Sequence, residues 1–137
     1  MAGYSGTPLA KKLGIKEGMK ICFLNAPAHF ADLLGVLPPD AAVLEKIQKG
    51  KMDYIHIFAE TEKMYVKNLA ALKSGIQPAG LIWISWPKKS SKKFQSDLDE
   101  NKIRAHALAS GLVDIKVCAV DEYWSGLKLV IPVKDRK

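Results

Sequence analysis

Six side chains stand where an alternating α/β chain can do chemistry, just past the ends of apolar, β-branched runs. Asn25 and His29 lie at the end of the run Met19 to Asn25, Glu60 follows Tyr54 to Ala59, and Lys88 and Lys89 follow Gly80 to Trp86. Trp124 stands in the short connection Asp121 to Gly126. An imidazole can take and give a proton near neutral pH, a carboxylate can hold a hydroxyl, and paired ammonium groups attract an anion. An indole can wall a pocket. Each residue also has a plainer use. His29 suits a surface position at a helix start, Glu60 precedes the capping pair Thr61 and Glu62, and Trp124 can cover an edge of the core.

Spacing sets other chemistry aside. His56 falls mid-strand and His106 mid-helix, so neither has a sequence neighbour at metal-ligand spacing. Asp97, Asp99 and Glu100 suit a helix N-terminus and do not form an acid/base pair. Cys22 and Cys118 lie inside apolar runs, where a thiol packs as a small hydrophobe, so neither a disulfide nor a metal is expected. Ser125 lacks a nucleophile elbow around it, and the P-loop, CxxC, HExxH and GxSxG patterns are absent.

The elements that must position these residues follow from caps, breakers and periodicity. Thr7 and Pro8 open a short helix, Leu9 to Leu13, stopped by Gly14. Met19 to Asn25 then reads as a buried strand, and His29 to Leu34 as a short helix ended by Gly35. Residues 41 to 49 admit two readings, a helix between Asp40 and Gly50 or a short edge strand Ala41 to Glu45. Tyr54 to Ala59 has the near-continuous apolar character of a strand covered on both faces. Thr61 caps a helix in which Tyr65, Leu69, Leu72 and Ile76 form one stripe. After Gly75 and Pro78, Gly80 to Trp86 is the next buried strand. Asp99 caps a further helix, with Leu98 and Ile103 as a hydrophobic staple and Gly111 past its end. Ile115 to Val120 and Leu127 to Val133 are joined so briefly that they must be antiparallel neighbours. Alternation of this kind predicts one α/β domain over residues 1–137, with a Rossmann-like, mostly parallel sheet and an antiparallel C-terminal hairpin at its edge.

The formal charge of +7 comes from nineteen lysines and only two arginines, Arg104 and Arg136. Base readout and bidentate phosphate binding favour arginine, so the charge reads as solvated surface and nucleic acid is disfavoured as a partner. Seven lysines and no acid fall between Lys63 and Ser96, four of them in Lys88, Lys89, Lys92 and Lys93. The first fifteen residues contain no apolar run that could serve as a signal sequence or span a membrane, and a cytoplasmic location is expected.

Three stretches carry a resemblance over nearly the whole chain: Tyr4-Ser5-Gly6-Thr7-Pro8-Leu9, Trp86-Pro87-Lys88-Lys89 and Asp121-Glu122-Tyr123-Trp124-Ser125-Gly126. Together they resemble a bacterial family of small proteins catalogued as domain of unknown function 3052, for which the resemblance implies no activity. The second half, from Asp53 to the final hairpin, resembles the C-terminal half of the class I methyltransferase fold, which implies that Ala41 to Glu45 is a short second strand. Methyltransferases of that class place a glycine-rich turn after the first strand and an acid after the second. Here the turn is Asn25-Ala26-Pro27-Ala28-His29, with no glycine and with a proline that has no N–H to donate, while Glu45 stands in for the acid.

These features lead to a non-catalytic Rossmann-like domain, without a cofactor, that binds a small anionic ligand or a protein partner. Asn25, His29, Glu60, Lys88, Lys89 and Trp124 would line its crevice, with Lys88 and Lys89 as an anion-receptive rim. The alternative is a divergent S-adenosylmethionine-dependent methyltransferase, against which the glycine-free turn predicts no tight cofactor binding.

Overall fold

The computed structural model describes residues 8–88 and 96–136. Six strands form one sheet: β1 (Lys20–Leu24), β2 (Ala42–Leu44), β3 (Met52–Phe58), β4 (Ile76–Pro87), β5 (Val113–Ala119) and β6 (Trp124–Val130), in the order β2-β1-β3-β4-β6-β5. The pairings β1 with β2, β1 with β3 and β3 with β4 are parallel, and β6 runs antiparallel to both β4 and β5. The α/β reading with an antiparallel edge is therefore the observed fold. The ambiguous segment resolves as the strand β2, because its three residues extend the β1 ladder at Lys20, Ile21 and Cys22.

Two apolar layers flank the sheet. On one face α3 (Glu62–Gly75) and α4 (Glu100–Ala109) bring Tyr65, Leu69, Leu72, Ile103 and Ala107 onto Ile55, Ile57, Ile82, Ile84, Leu127 and Leu129. Thr61 and Asp99 start these helices as capping logic requires, accepting from the backbone N–H of Met64 and Lys102. On the other face α1 (Leu9–Lys12) and α2 (Phe30–Leu34) set Ala10, Leu13, Phe30 and Leu34 against Ile21, Tyr54, Phe58 and Trp83. The Trp83 indole N–H donates to the Leu13 carbonyl at 2.7 Å, tying α1 to the middle of the sheet.

The second face also carries a polar chain. Tyr54 Oη lies 3.0 Å from His56 Nδ1, and His56 Nε2 lies 2.7 Å from Ser85 Oγ, with all three residues fully buried. A neutral imidazole donates from one nitrogen and accepts at the other, so both ring nitrogens are satisfied without charge. His56 also stacks on Phe58 with centroids 4.3 Å apart. Burial holds its pKa down at about 3.

The last hairpin differs from expectation. Trp124, Ser125 and Gly126 belong to β6, opposite Pro87, Trp86 and Ser85, and the turn shrinks to residues 120–123. Asp121 causes this, since its Oδ1 accepts from the backbone N–H of both Tyr123 and Trp124 at 2.8 Å and closes the turn early. Gly126 is needed where it stands, because a Cβ there would come within 3.1 Å of the Trp83 ring.

His56 sets an acid limit on this core. Its folded pKa lies below the unfolded value near 6.5, so the unfolded chain binds the extra proton, and the stability contribution is complete above pH 6.5 and is lost as pH falls toward 3. In chemical denaturation at stepped pH, the folding free energy should fall below pH 6 with a slope of about 1.4 kcal/mol per pH unit that His56→Gln lacks. Equal slopes in both proteins would show that other groups carry the acid sensitivity.

Candidate functional site

The β1–α2 turn, the segments that follow β2 and β3 and the β5–β6 turn lie at one edge of the sheet, where the parallel strands present their carboxyl ends. From β1 the chain goes first outward to β2 and then across to β3. An open α/β sheet has its ligand crevice at such a reversal. The residues singled out in the sequence that fall among the described residues lie along this edge in two groups.

The first group bridges β1 and β3. Asn25 has φ +57°, a left-handed conformation that few residues other than glycine and asparagine adopt without cost. Its Nδ2 donates to the Phe58 carbonyl at 2.8 Å and lies 4.0 Å from Met64 Sδ. The strained backbone therefore turns the chain sharply at the end of β1, and the side chain seals the junction. Glu60 is exposed two residues past the end of β3. Glu45 is exposed immediately past the end of β2.

The second group joins α2 to the hairpin. His29 precedes α2, half-exposed, and its Nε2 lies 2.8 Å from Asp121 Oδ2. Asp121 is only 7 % exposed, and its other oxygen is taken up by the turn N–H groups. An ionised carboxylate only accepts, so Nε2 carries the shared proton and the lone pair of a neutral ring sits on Nδ1. Sequence reasoning treated Asp121 only as part of a turn. A partner 92 positions away has no sequence signal. The Lys88 backbone N–H donates to the Tyr123 carbonyl, which brings the start of the lysine segment to this turn. Lys89 lies outside the described residues. Trp124 is sealed into the core, edge-on to Phe58 at 5.1 Å.

Between the β1–α2 turn, α2 and the edge strand β2 lies a cavity of about 250 Å³, lined among others by Phe23, Pro27, Phe30, Leu34, Leu37 and Val43. Its walls are apolar. No group of histidine, cysteine or carboxylate side chains suited to a metal ion occurs among the described residues. No helix among them is long and apolar enough to cross a membrane.

With strand order and edge in place, the chain can be set beside known structures. A SAM-dependent methyltransferase from Aquifex aeolicus superposes with a TM-score of 0.66 at 16 % identity, covering 90 % of this chain and 88 % of that one. This chain has the Rossmann-like α/β fold seen in that methyltransferase. The 1,6-didemethyltoxoflavin-N1-methyltransferase of Burkholderia thailandensis, solved with 1,6-didemethyltoxoflavin and S-adenosylhomocysteine bound, gives 0.58 at 12 % identity over 88 % and 73 %. The B. subtilis M1A22 tRNA methyltransferase gives 0.57 at 14 % identity over 94 % and 67 %. No protein-family model and no curated protein sequence matches the chain.

Two expectations fall with this comparison. A non-catalytic domain for a small anionic ligand or a protein partner is not what the likeness supports, because many of the chains that share this core are methyltransferases, one of them solved with S-adenosylhomocysteine bound, and these likenesses lend an anionic ligand no support. Nor is nucleic acid to be set aside on the lysine-rich composition, since one of the chains built on this fold is a tRNA methyltransferase. The absence of glycine does not prevent a left-handed residue in this turn. Asn25 supplies the left-handed turn that a glycine would otherwise supply.

The turn makes a separable prediction about Asn25. Asn25→Ala loses both the left-handed tolerance and the bond to Phe58, and denaturant unfolding should show a loss of about 2 kcal/mol. Asn25→Gly keeps the backbone freedom and should lose about 1 kcal/mol. If alanine is tolerated as well as glycine, the conformation of Asn25 is not what holds this turn.

Proposed function

We propose that the protein is a divergent S-adenosylmethionine-dependent methyltransferase, formed by residues 1–137 as one domain. The observation that carries this reading is the left-handed backbone of Asn25 at the carboxyl end of β1, within a methyltransferase fold and beside an acid that follows β2. The resemblance of the Pro87-Lys88 and Trp124-Ser125-Gly126 stretches to the domain of unknown function 3052 adds a bacterial, cytoplasmic setting to the proposal.

The residues at the edge suit the cofactor. Its charge is cationic at sulfur, and Glu45 and Glu60 flank the end of β1 from the neighbouring strands. Glu45 would accept from the ribose hydroxyls, the Asn25 to Ala28 turn would pass under the amino-acid portion, and the apolar cavity beside that turn would take the flat base. When bound, the cofactor would supply an activated methyl group, whose bond to the sulfonium sulfur breaks as the bond to the nucleophile forms, with S-adenosylhomocysteine as the leaving group. The incoming nucleophile must shed a proton when it is an amine or hydroxyl. His29 would accept that proton at Nδ1 while Asp121 holds the ring through Nε2. Lys88 and Trp124 frame the turn from which Asp121 acts.

Titration calorimetry with S-adenosylhomocysteine tests the reading without any knowledge of the substrate. Saturable binding in the micromolar range is expected, with Glu45→Gln weaker by about tenfold, the scale of one lost charge-assisted hydrogen bond. His29→Ala should bind as the parent does. Absence of saturation at millimolar ligand overturns the proposal.

A further inference from the structure

The apolar alternation of β5 is Val113, Ile115, Val117, Ala119, and an unbroken ladder would turn all four side chains to the face that carries α1 and α2. The structure breaks this pattern. The register with β6 passes from Asp114 opposite Leu129 directly to Lys116 opposite Lys128, so Ile115 is the extra residue of a β-bulge. Ile115 is left exposed, and Val117 turns to the opposite face, against Leu127. Lys116 takes the place across from Lys128. Two like charges directly opposite one another weaken a sheet, whereas an isoleucine there would not.

Further lysines join this pair. Lys12 Nζ donates to the Ala119 carbonyl at 3.1 Å and Lys116 Nζ to the Lys12 carbonyl at 3.4 Å, while the Lys128 ammonium reaches over Gly14. Burial, then repulsion from Lys116 and Lys16, lowers the Lys128 pKa. None of the ion pairs among the described residues engages Lys12, Lys16, Lys116 or Lys128. Glu17 is the acid next to them in sequence.

We propose that this lysine-lined face of α1, β5 and β6 is the docking surface for the phosphate backbone of a nucleic-acid substrate. The binding surface stands on its own geometry, and only the word substrate rests on the methyltransferase reading. A polyanion relieves the Lys116–Lys128 repulsion that the bulge creates, and it releases its own condensed counterions in doing so. The direction of the charges favours nucleic acid over a membrane. They run from Lys128 across Lys116 to Lys12, whose ammonium rests on Ala119, and Asp121, which holds His29, is two residues further on. A strand laid along them arrives at the candidate proton acceptor. The face offers little apolar anchor for lipid: among the large exposed hydrophobics Val36 and Val43 belong to the α2–β2 side, Val66 and Leu108 to α3 and α4, and Val117 to the other face of β5, which leaves Ile115 of the bulge and Val133 past β6 beside the lysines.

Fluorescence anisotropy with a labelled, tRNA-sized folded RNA tests the surface. The double variant Lys116→Ser with Lys128→Ser is compared with Lys49→Ser with Lys51→Ser, which removes the same charge from the exposed segment ahead of β3, at the amino end of that interior strand. The first variant should bind at least about tenfold more weakly than the parent, with a slope of log affinity against log salt shallower by about 1.5. The second should lose less than about threefold. The first variant should also melt no lower than the parent, because it loses a repulsion. Equal weakening by both variants, a lower melting temperature of the first, or equally lysine-dependent binding to phosphatidylserine vesicles would each overturn the proposal. S-adenosylhomocysteine binding is measured on the same proteins. RNA binding that depends on Lys116 and Lys128 in a protein that does not bind this ligand would uphold the surface and remove the methyltransferase reading.

Discussion

Four aligned positions, from Ile21 beside Tyr54 to Leu24 beside Ile57, hold β1 parallel to β3 in the interior of the sheet. Parallel strands cannot be joined by a tight turn, so each must leave its carboxyl end through a loop and a crossover. The loops after β1, β2 and β3 are thereby delivered to the same edge. Asn25 makes the junction rigid, since its amide spans from the end of β1 to the Phe58 carbonyl of β3. The acids after β2 and β3 and the cavity beside α2 take their places from that one pairing, and the antiparallel ladder of β4 with β6 brings Asp121 to His29.

The two faces of the sheet solve the problem of burial differently. Under α3 and α4 the layer is almost wholly aliphatic, as Ile55, Ile57, Ile82 and Ile84 show. Under α1 and α2 it is aromatic and contains the Tyr54–His56–Ser85 chain. Short helices cover less area, and large rings fill the space that longer helices would occupy. The polar chain is tolerated because its contacts are complete, and it gives this layer a directional constraint that aliphatic packing lacks. It lies beneath the edge where His29 and Asp121 meet, so the candidate site rests on the more specified of the two layers.

Much of this architecture was legible in the chain itself. The apolar runs at Tyr54 and Gly80, the caps at Thr61 and Asp99 and the short final connection all report on local structure, which depends on neighbours in sequence. The site was legible only in part. Asn25, His29 and Glu60 could be placed at strand ends, but the turn was judged by its lack of glycine, because a left-handed asparagine differs from an ordinary one only in a dihedral angle. Asp121 was passed over because its first role, closing the turn, is complete without His29.

Residue types and their order thus determined the alternation of elements, the parallel core and the edge at which a ligand would enter, because those follow from periodicity, capping and loop length. Tertiary structure decided the rest. The pairing of His29 with Asp121 and the bulge that turns Lys116 toward Lys128 depend on contacts between segments distant in sequence. A bulge shifts each residue beyond it to the other face of the sheet, so a pattern of period two cannot reveal which side chains share a surface until the partner strand and its register are known.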